Sequence, residues 1–302
     1  MASKIKINFL GTSASIPTAE RNHTAILLRY KDENILVDCG EGTQRQFRKM
    51  KLNPCKINKI LITHWHGDHI FGLPGLFQTM ALSEYNKKMK IFGPKGTKEF
   101  MNHFVSTFIP VFKFKAEVNE ITKPEKFFEN EDYYLESEPM EHGVPVNAYN
   151  LVIKDKLRID KKKLKKAKIP EGKHLSELQK GKDISVNGKK YKAKDFTYIE
   201  KGKKVSIVLD TVLNGKIEKF AKNADLFICE SSFDDELAET AKEHLHLTAS
   251  QCGLAAKKAG AKKLILTHIS QRYERNPKKL LRNAKKYFKN TIVAKDFDEL
   301  EI

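Results

Sequence analysis

The chain has 302 residues, 40% of them hydrophobic, with periodic apolar segments, so it can bury one large core or two modest ones. No run approaches the roughly 18 uncharged apolar residues of a membrane helix, and the N-terminal stretch lacks a signal-peptide pattern; the expectation is a cytoplasmic protein with no membrane partner. The net charge of +18 favours a polyanionic partner such as nucleic acid, acidic lipid or an acidic protein, although a solvated Lys-rich surface would give the same balance.

The first third alternates short β-like runs with turns. "KIKINFLGT" reads as a strand ending at Gly11. "HTAILLRY", "KDEN" and "ILVDCGEG" read as a hairpin whose turn is Asp32 to Asn34. "GTQRQFRKM" reads as a helix, and "INKILITH" as a buried strand that feeds into a histidine cluster. A helix ("GLPGLFQTMALSEY"), a strand ("MKIFGP") and another helix ("GTKEFMNHFVSTF") follow.

After "YNLVIKD" the pattern changes. Residues 151–200 hold 16 Lys and Arg against 7 Asp and Glu, half of the net charge in one sixth of the chain. The densest part is "KKKLKKAK", Lys161 to Lys168. Residues 154–200 are poor in large apolar side chains and punctuated by glycine, so they read as an inserted arm unable to fold alone. The core pattern resumes with "KKVSIVLDT", a strand ending at Asp210. A helix ("IEKFAKNA"), a strand ("DLFICESSF"), a helix ("TASQCGLAAKKAG") and a strand ending at His268 come next. "PKKLLRNAKKYF" closes the pattern as a helix, with "TIVAKD" a last short strand. Two β-rich halves with helices outside predict an α/β αββα sandwich. Residues 1–153 and 201–302 form its two halves, and 154–200 the insert. Cys39, Cys55, Cys229 and Cys252 are scattered with no CxxC pair, as expected of reduced thiols.

The stretch "THWHGDH" packs His64, His66, Asp68 and His69 into six residues. Left as packing, these groups would be desolvated without compensation. His64, Asp210 and His268 each follow an apolar strand, and strand ends on one sheet edge are where site residues gather. His142, in "PMEHGVPV", occupies a turn after another strand. Together these seven groups offer enough nitrogen and oxygen donors for two metal ions, if one carboxylate bridges. Imidazole and carboxylate suit zinc, with manganese or iron as alternatives. A close metal pair hydrolyses phosphodiesters, amides or esters. Asp38, in "VDCGEGTQ", reads as a carboxylate that orients a ligand imidazole.

The cluster resembles the signature of the metallo-β-lactamase superfamily. "FLGTSASIPTAERNHTAILL", "ILVDCGEGTQRQ", "ITHWHGDHIFGLPGLF", "LHLTASQCG" and "LTHISQRY" together resemble the short form of tRNase Z, over about residues 5–275. That family removes 3′ trailers from precursor tRNA. The resemblance implies one zinc held by His64, His66 and His142, another by Asp68, His69 and His268, and Asp210 between them. It implies Asp68 as general base, His246 as the group that stabilises or protonates the leaving 3′ oxygen, and Glu230 as its orienting partner. It further implies that the basic arm clamps precursor tRNA, and that the active site of one subunit of a homodimer works with the arm of the other. An A-form helix read by shape and phosphate suits such an arm. The chain departs from the family pattern at Lys173, Val146, Ala148 and Leu209, none of them a ligand. The competing reading is another hydrolase on this fold, such as a small-molecule phosphodiesterase or arylsulfatase.

Overall fold

The computed structural model describes residues 4–108 and 116–302. Two compact units make up the chain. The larger runs up to Phe128 and includes Leu135–Leu151 and Lys204–Ile302; the smaller consists of Glu129–Tyr134 and Val152–Lys203.

The strands in chain order are β1 (Ile5–Gly11), β2 (Ala25–Tyr30), β3 (Glu33–Val37), β4 (Lys59–Leu61), β5 (Met89–Gly93), β6 (Ala116–Glu120), β7 (Glu125–Glu129), β8 (Tyr133–Pro139) and β9 (Asn147–Ile153). They continue with β10 (Lys156–Ile159), β11 (Ile184–Val186), β12 (Lys189–Tyr191), β13 (Thr197–Glu200), β14 (Lys204–Val208), β15 (Leu226–Glu230), β16 (Leu264–Thr267), β17 (Thr291–Val293) and β18 (Glu299–Glu301). Two seven-stranded sheets dominate the larger unit, in the orders β18-β1-β2-β3-β4-β5-β6 and β17-β16-β15-β14-β9-β8-β7.

Both faces of the strands are covered, which is why they read as near-continuous apolar runs. In β2, Leu27 shares a core with Leu36, Ile60, Phe47, Leu76 and Met101, the last three from helices Thr43–Lys49, Leu73–Leu82 and Thr97–Phe108. Ile26 and Leu28 point the other way and are equally buried. On the second sheet Phe227, Cys229, Leu264 and Leu266 pack with helices Ala249–Ala259 and Lys278–Lys285. The sheets meet where the Tyr149 hydroxyl donates to the Ile62 carbonyl at 2.7 Å and where Phe92 meets Phe127, ring centroids 4.8 Å apart. The layering is that of an αββα sandwich.

A late segment is tied back to an early loop. β18 pairs antiparallel with β1. Asp296 accepts from the Thr12 hydroxyl, the Asn22 amide and the Gln46 side chain, at 2.7, 2.7 and 2.9 Å. The buried Arg21 guanidinium donates to the Ala294 carbonyl at 2.7 Å.

Two local expectations need correction, and two features went unread. The hairpin turn is Lys31–Asp32, because Tyr30 already pairs with Glu33, and Lys31 takes the left-handed φ of 53° that a two-residue turn demands. The strand before the histidine cluster is only Lys59–Leu61. β6, β7, β10, β13 and β18 carry no apolar alternation strong enough to announce them. The inserted segment does bury a small core of its own.

That core, in the smaller unit, gathers Leu164, Ile169, Leu178, Ile184 and Ala193. Around it, β10 pairs antiparallel with β13 and β11 with β12. The β11–β12 turn is Asn187–Gly188, both at positive φ, the chemistry a two-residue hairpin favours. Asp160 caps the helix Lys161–Lys166 by accepting from the amides of Lys162 and Lys163. Leu164 is the buried residue of that helix, and its five lysines stand in solvent.

Candidate active site

β3 and β4 are parallel neighbours, and so are β14, β15 and β16. Their carboxyl ends therefore deliver Asp38, His64, Asp210, Glu230 and His268 to one edge, where α/β sheets place ligands. Asp38, Asp210 and His268 adopt positive φ of 56°, 37° and 55°. Side-chain-bearing residues rarely do so, and such strain persists where surrounding contacts enforce it. It ends each strand abruptly and re-aims its side chain. His66, Asp68 and His69 come from the loop and short helix Gly67–Ile70, and His142 from the turn between β8 and β9.

All seven expected ligands converge. His66 Nδ1 lies 3.1 Å from His64 Nε2 and 3.3 Å from His142 Nε2. His69 Nε2 and His268 Nε2 are 3.2 Å apart, and Asp68 Oδ2 lies 3.4 and 3.5 Å from them. Asp210 stands between the two groups. Its Oδ1 is 3.4 Å from His69 Nε2 and 3.2 Å from His268 Nε2; its Oδ2 is 3.6 Å from His64 Nε2 and 3.9 Å from His142 Nε2. Tetrahedral zinc with Zn–N bonds of about 2.0–2.1 Å places its ligand nitrogens about 3.3 Å apart, so these spacings fit.

The outer nitrogens fix how the rings present themselves. His69 Nδ1 donates to Asp38 Oδ2 at 2.7 Å, and Asp38 also accepts from the amide and hydroxyl of Thr63. The Thr63 hydroxyl, already donating to Asp38, accepts from His64 Nδ1 at 3.1 Å. The Ser232 hydroxyl donates to Glu230 at 2.7 Å and accepts from His268 Nδ1 at 2.9 Å. His142 Nδ1 donates to the Leu245 carbonyl at 3.1 Å. Each ring thus turns its second nitrogen inward, the arrangement in which outer partners set ligand tautomers. Inward lone pairs at van der Waals distance repel unless a cation lies among them. Asp210 Oδ1, buried and with no hydrogen-bond donor among the described residues, makes the same demand.

The electrostatics agree. Burial, reinforced by His69, holds His64 well below the ordinary histidine range. Burial would neutralise Asp68 and Asp210, but the imidazoles of His69 and His268 outweigh it and hold both well below the usual carboxylate range. Burial would likewise lower His69, but Asp210, Asp38 and Asp68 together drive it well above the histidine range. So much negative charge in one buried place calls for a proton on His69 or a metal ion that displaces it.

His246 completes the group. It lies in the loop before the helix Ala249–Ala259, which begins at the capping box of Thr248 and Gln251. Its Nδ1 donates to Glu230 Oε1 at 3.0 Å and is 3.9 Å from Asp210 Oδ2. Glu230 is fully buried at the end of β15 and also accepts from the Thr211 amide at 2.9 Å. Burial depresses the His246 pKa, but the Glu230 carboxylate more than offsets it and pushes the imidazole up to about 9. The ring is therefore protonated at neutral pH, with Nε2–H free of Glu230.

A cavity of about 390 Å³ opens over the cluster, lined by Asp68, Asp210, His246, Phe233, His244 and Arg272 among others. Phe233, His244 and Arg272 went unread in the sequence. Phe233 lies parallel to His244, centroids 6.3 Å apart, with the Arg272 guanidinium 5.6 Å from its ring. The departures Val146, Ala148 and Leu209 are buried core residues, and Lys173 stands at the start of a short arm helix, His174–Gln179.

A family model described as anti-Pycsar protein Apyc1 matches residues 5–159. Ribonuclease Z of Nanoarchaeum equitans is 37% identical, the match covering 98% of this chain and 92% of that protein. The crystal structure of human tRNase Z, short form, superposes with a TM-score of 0.72 at 28% identity, covering 98% of each chain. The metallo-beta-lactamase fold protein YhfI from Bacillus subtilis, at 18% identity, shares the fold with a TM-score of 0.71 over 99% of this chain and all of that one. With its seven inward-facing donors on the metallo-β-lactamase sandwich and this likeness over nearly its whole length, the chain belongs to the ribonuclease Z family.

Proposed function

We propose that the protein is a metal-dependent endoribonuclease that removes the 3′ trailer from precursor tRNA. It would cut after the discriminator nucleotide, leaving a 3′-OH on the tRNA and a 5′-phosphate on the trailer. The observation that carries this reading is the complete donor cluster, with Asp210 offering one oxygen to each half. His64, His66 and His142 would hold one zinc, Asp68, His69 and His268 the other, and Asp210 would bridge them; manganese or iron would suit the same donors. Bound metal supplies Lewis acidity toward a phosphodiester.

The chain's own groups do the rest. Asp68 takes a proton from the attacking water. Protonated His246, oriented by Glu230, gives one to the departing 3′ oxygen. The cavity admits the flexible 3′ end of an RNA. The exposed lysines of the arm at 154–200 give its outside the charge to follow phosphates. We further infer a homodimer, supported by exposed Phe71, Leu82 and Phe100 on the larger unit. A cytoplasmic site of action is in keeping with this substrate and with the absence, among the described residues, of any helix long and apolar enough to cross a membrane.

The test is cleavage of a 5′-labelled precursor tRNA with and without chelator, beside Asp68→Ala. A metal-dependent cut after the discriminator, lost in the variant, is expected. Intact precursor tRNA beside rapid hydrolysis of a small phosphodiester would overturn the RNA assignment and favour the small-molecule reading.

A further inference from the structure

Asp68 differs from the other ligands in how it is held. Its Oδ2 faces His69 and His268, and the same oxygen accepts a hydrogen bond from the Ser15 backbone amide at 2.8 Å. Its Oδ1 makes no hydrogen bond among the described residues. The backbone N–H of Ser15 thus distinguishes the two oxygens, bonding the one that faces the ligand cluster in a residue that also lines the cavity.

Ser15 can present that amide only in an unfavourable conformation. It lies in an exposed loop at φ 44°, in the left-handed region. The Ser13 hydroxyl steadies the loop by donating to the Ile16 carbonyl at 2.7 Å. The contact to Ser15 itself comes from His23, whose Nε2 donates to the Ser15 carbonyl at 3.1 Å. His23 is buried, and its Nδ1 has no hydrogen-bond partner among the described residues. An apolar residue would fill this space without leaving a buried nitrogen unpaired. The two segments approach closely here: a Cβ at Gly40 would come 2.4 Å from the Cβ of His23 and 2.6 Å from the Asp68 carbonyl oxygen. Among the described residues, the one hydrogen bond this imidazole makes is to the Ser15 carbonyl.

We propose that His23 is a positioning residue for the reaction. Through the Ser15 carbonyl it holds the loop so that the Ser15 amide pins Asp68 Oδ2 toward the metal site and leaves Oδ1 to receive the proton. This rests on the assignment of Asp68 as ligand and base given above.

The test compares wild type, His23→Ala, His23→Gln and Ser15→Pro, with zinc affinity measured by chelator competition as well as turnover. Two substrates are used, precursor tRNA and bis(p-nitrophenyl) phosphate. Loss of an outer partner costs about 10–100-fold in metal affinity or activity. His23→Ala is expected to lose that much in kcat on both substrates with little change in KM, and to weaken the second zinc equivalent. His23→Gln, which places an N–H near the lost Nε2, is expected to recover most of it. Ser15→Pro removes the N–H and, with its φ fixed at about −65°, also cannot keep the φ of 44°, so it is expected to match or exceed the His23→Ala loss; it keeps the test alive should His23→Ala fail to fold. A folded His23→Ala or Ser15→Pro enzyme with wild-type kcat and zinc affinity would overturn the proposal, as would a loss confined to KM. Failure of the wild type on precursor tRNA alone would fall on the substrate assignment, since the variants would still be ranked on the small phosphodiester.

Discussion

The ligand cluster and the basic arm place charge in opposite ways. In the cluster, Asp38, Asp210 and Glu230 are fully or almost fully buried, and each is tied by hydrogen bonds or close imidazoles to named atoms. In the arm, Lys161, Lys162, Lys163, Lys165 and Lys166 stand exposed on one short helix with a single leucine beneath them. Charge that is buried acts through geometry, because low dielectric magnifies each ångström. Charge that is exposed acts through its sum, because water and salt screen each lysine separately. The cluster should thus respond steeply to single atoms, and the arm gradually to total charge.

The largest effect expected is at Asp210, the carboxylate proposed to bridge the metals. Asp210→Ala removes a metal partner whose charge stabilisation is worth several kcal/mol, so kcat should fall by about 10³-fold or more, with reduced metal content by mass spectrometry of the native protein. His246→Ala should cost about 10²–10⁴-fold in kcat, the range for a lost general acid. A pH profile sharpens this. The acid form of His246 is present below its raised pKa of about 9 and lost above it, so the alkaline limb reports its loss. Glu230→Gln removes the carboxylate that raises it, so that limb should move to lower pH by about 1–3 units. A limb that stays in place would detach it from His246.

The arm should behave otherwise. Replacing the five lysines of 161–166 with glutamine should leave hydrolysis of a small phosphodiester unchanged. For precursor tRNA it should raise KM and flatten the dependence of log KM on log salt, by about 0.7–0.9 for each phosphate no longer neutralised. If a single lysine accounted for the whole change, the contrast between summed and local charge would collapse. The smallest effect on chemistry is expected from Leu178→Ala, at the fully buried centre of the arm core. It should destabilise that unit by about 2–5 kcal/mol, seen as faster amide exchange there, while small-substrate turnover holds.

How much of this was legible depends on what kind of signal carries it. His64, His66, Asp68 and His69 are crowded beyond what packing explains, and Asp210 and His268 follow apolar strands, so side chain and position announce them together. Ser15, Thr63 and Thr211 contribute backbone amides, which every residue but proline possesses, and nothing in the sequence marks them. Ser232 and His23 act through neighbours that only the fold brings near. The β10–β13 pairing joins Lys156 to Glu200 across a polar, Lys-rich segment without alternation. The turn at Lys31–Asp32 was misplaced by a residue, since Asn34 and Asp32 mimic turn chemistry while register decides it.

The tie between β18, Asp296 and the loop at 12–22 also sets an order of events. That loop contains Ser15 and so reaches Asp68, but its anchors at Ala294 and Asp296 are made hundreds of residues later. During synthesis the histidine cluster emerges early, while the strand that closes the first sheet and the carboxylate that fastens the loop are still to come. A nascent chain would carry most of the donors without the finished constellation. The seating of Asp68 in the early histidine cluster is thus completed only by a segment far along the chain, so the N-terminal half by itself carries the donors without the loop contact that orients one of them.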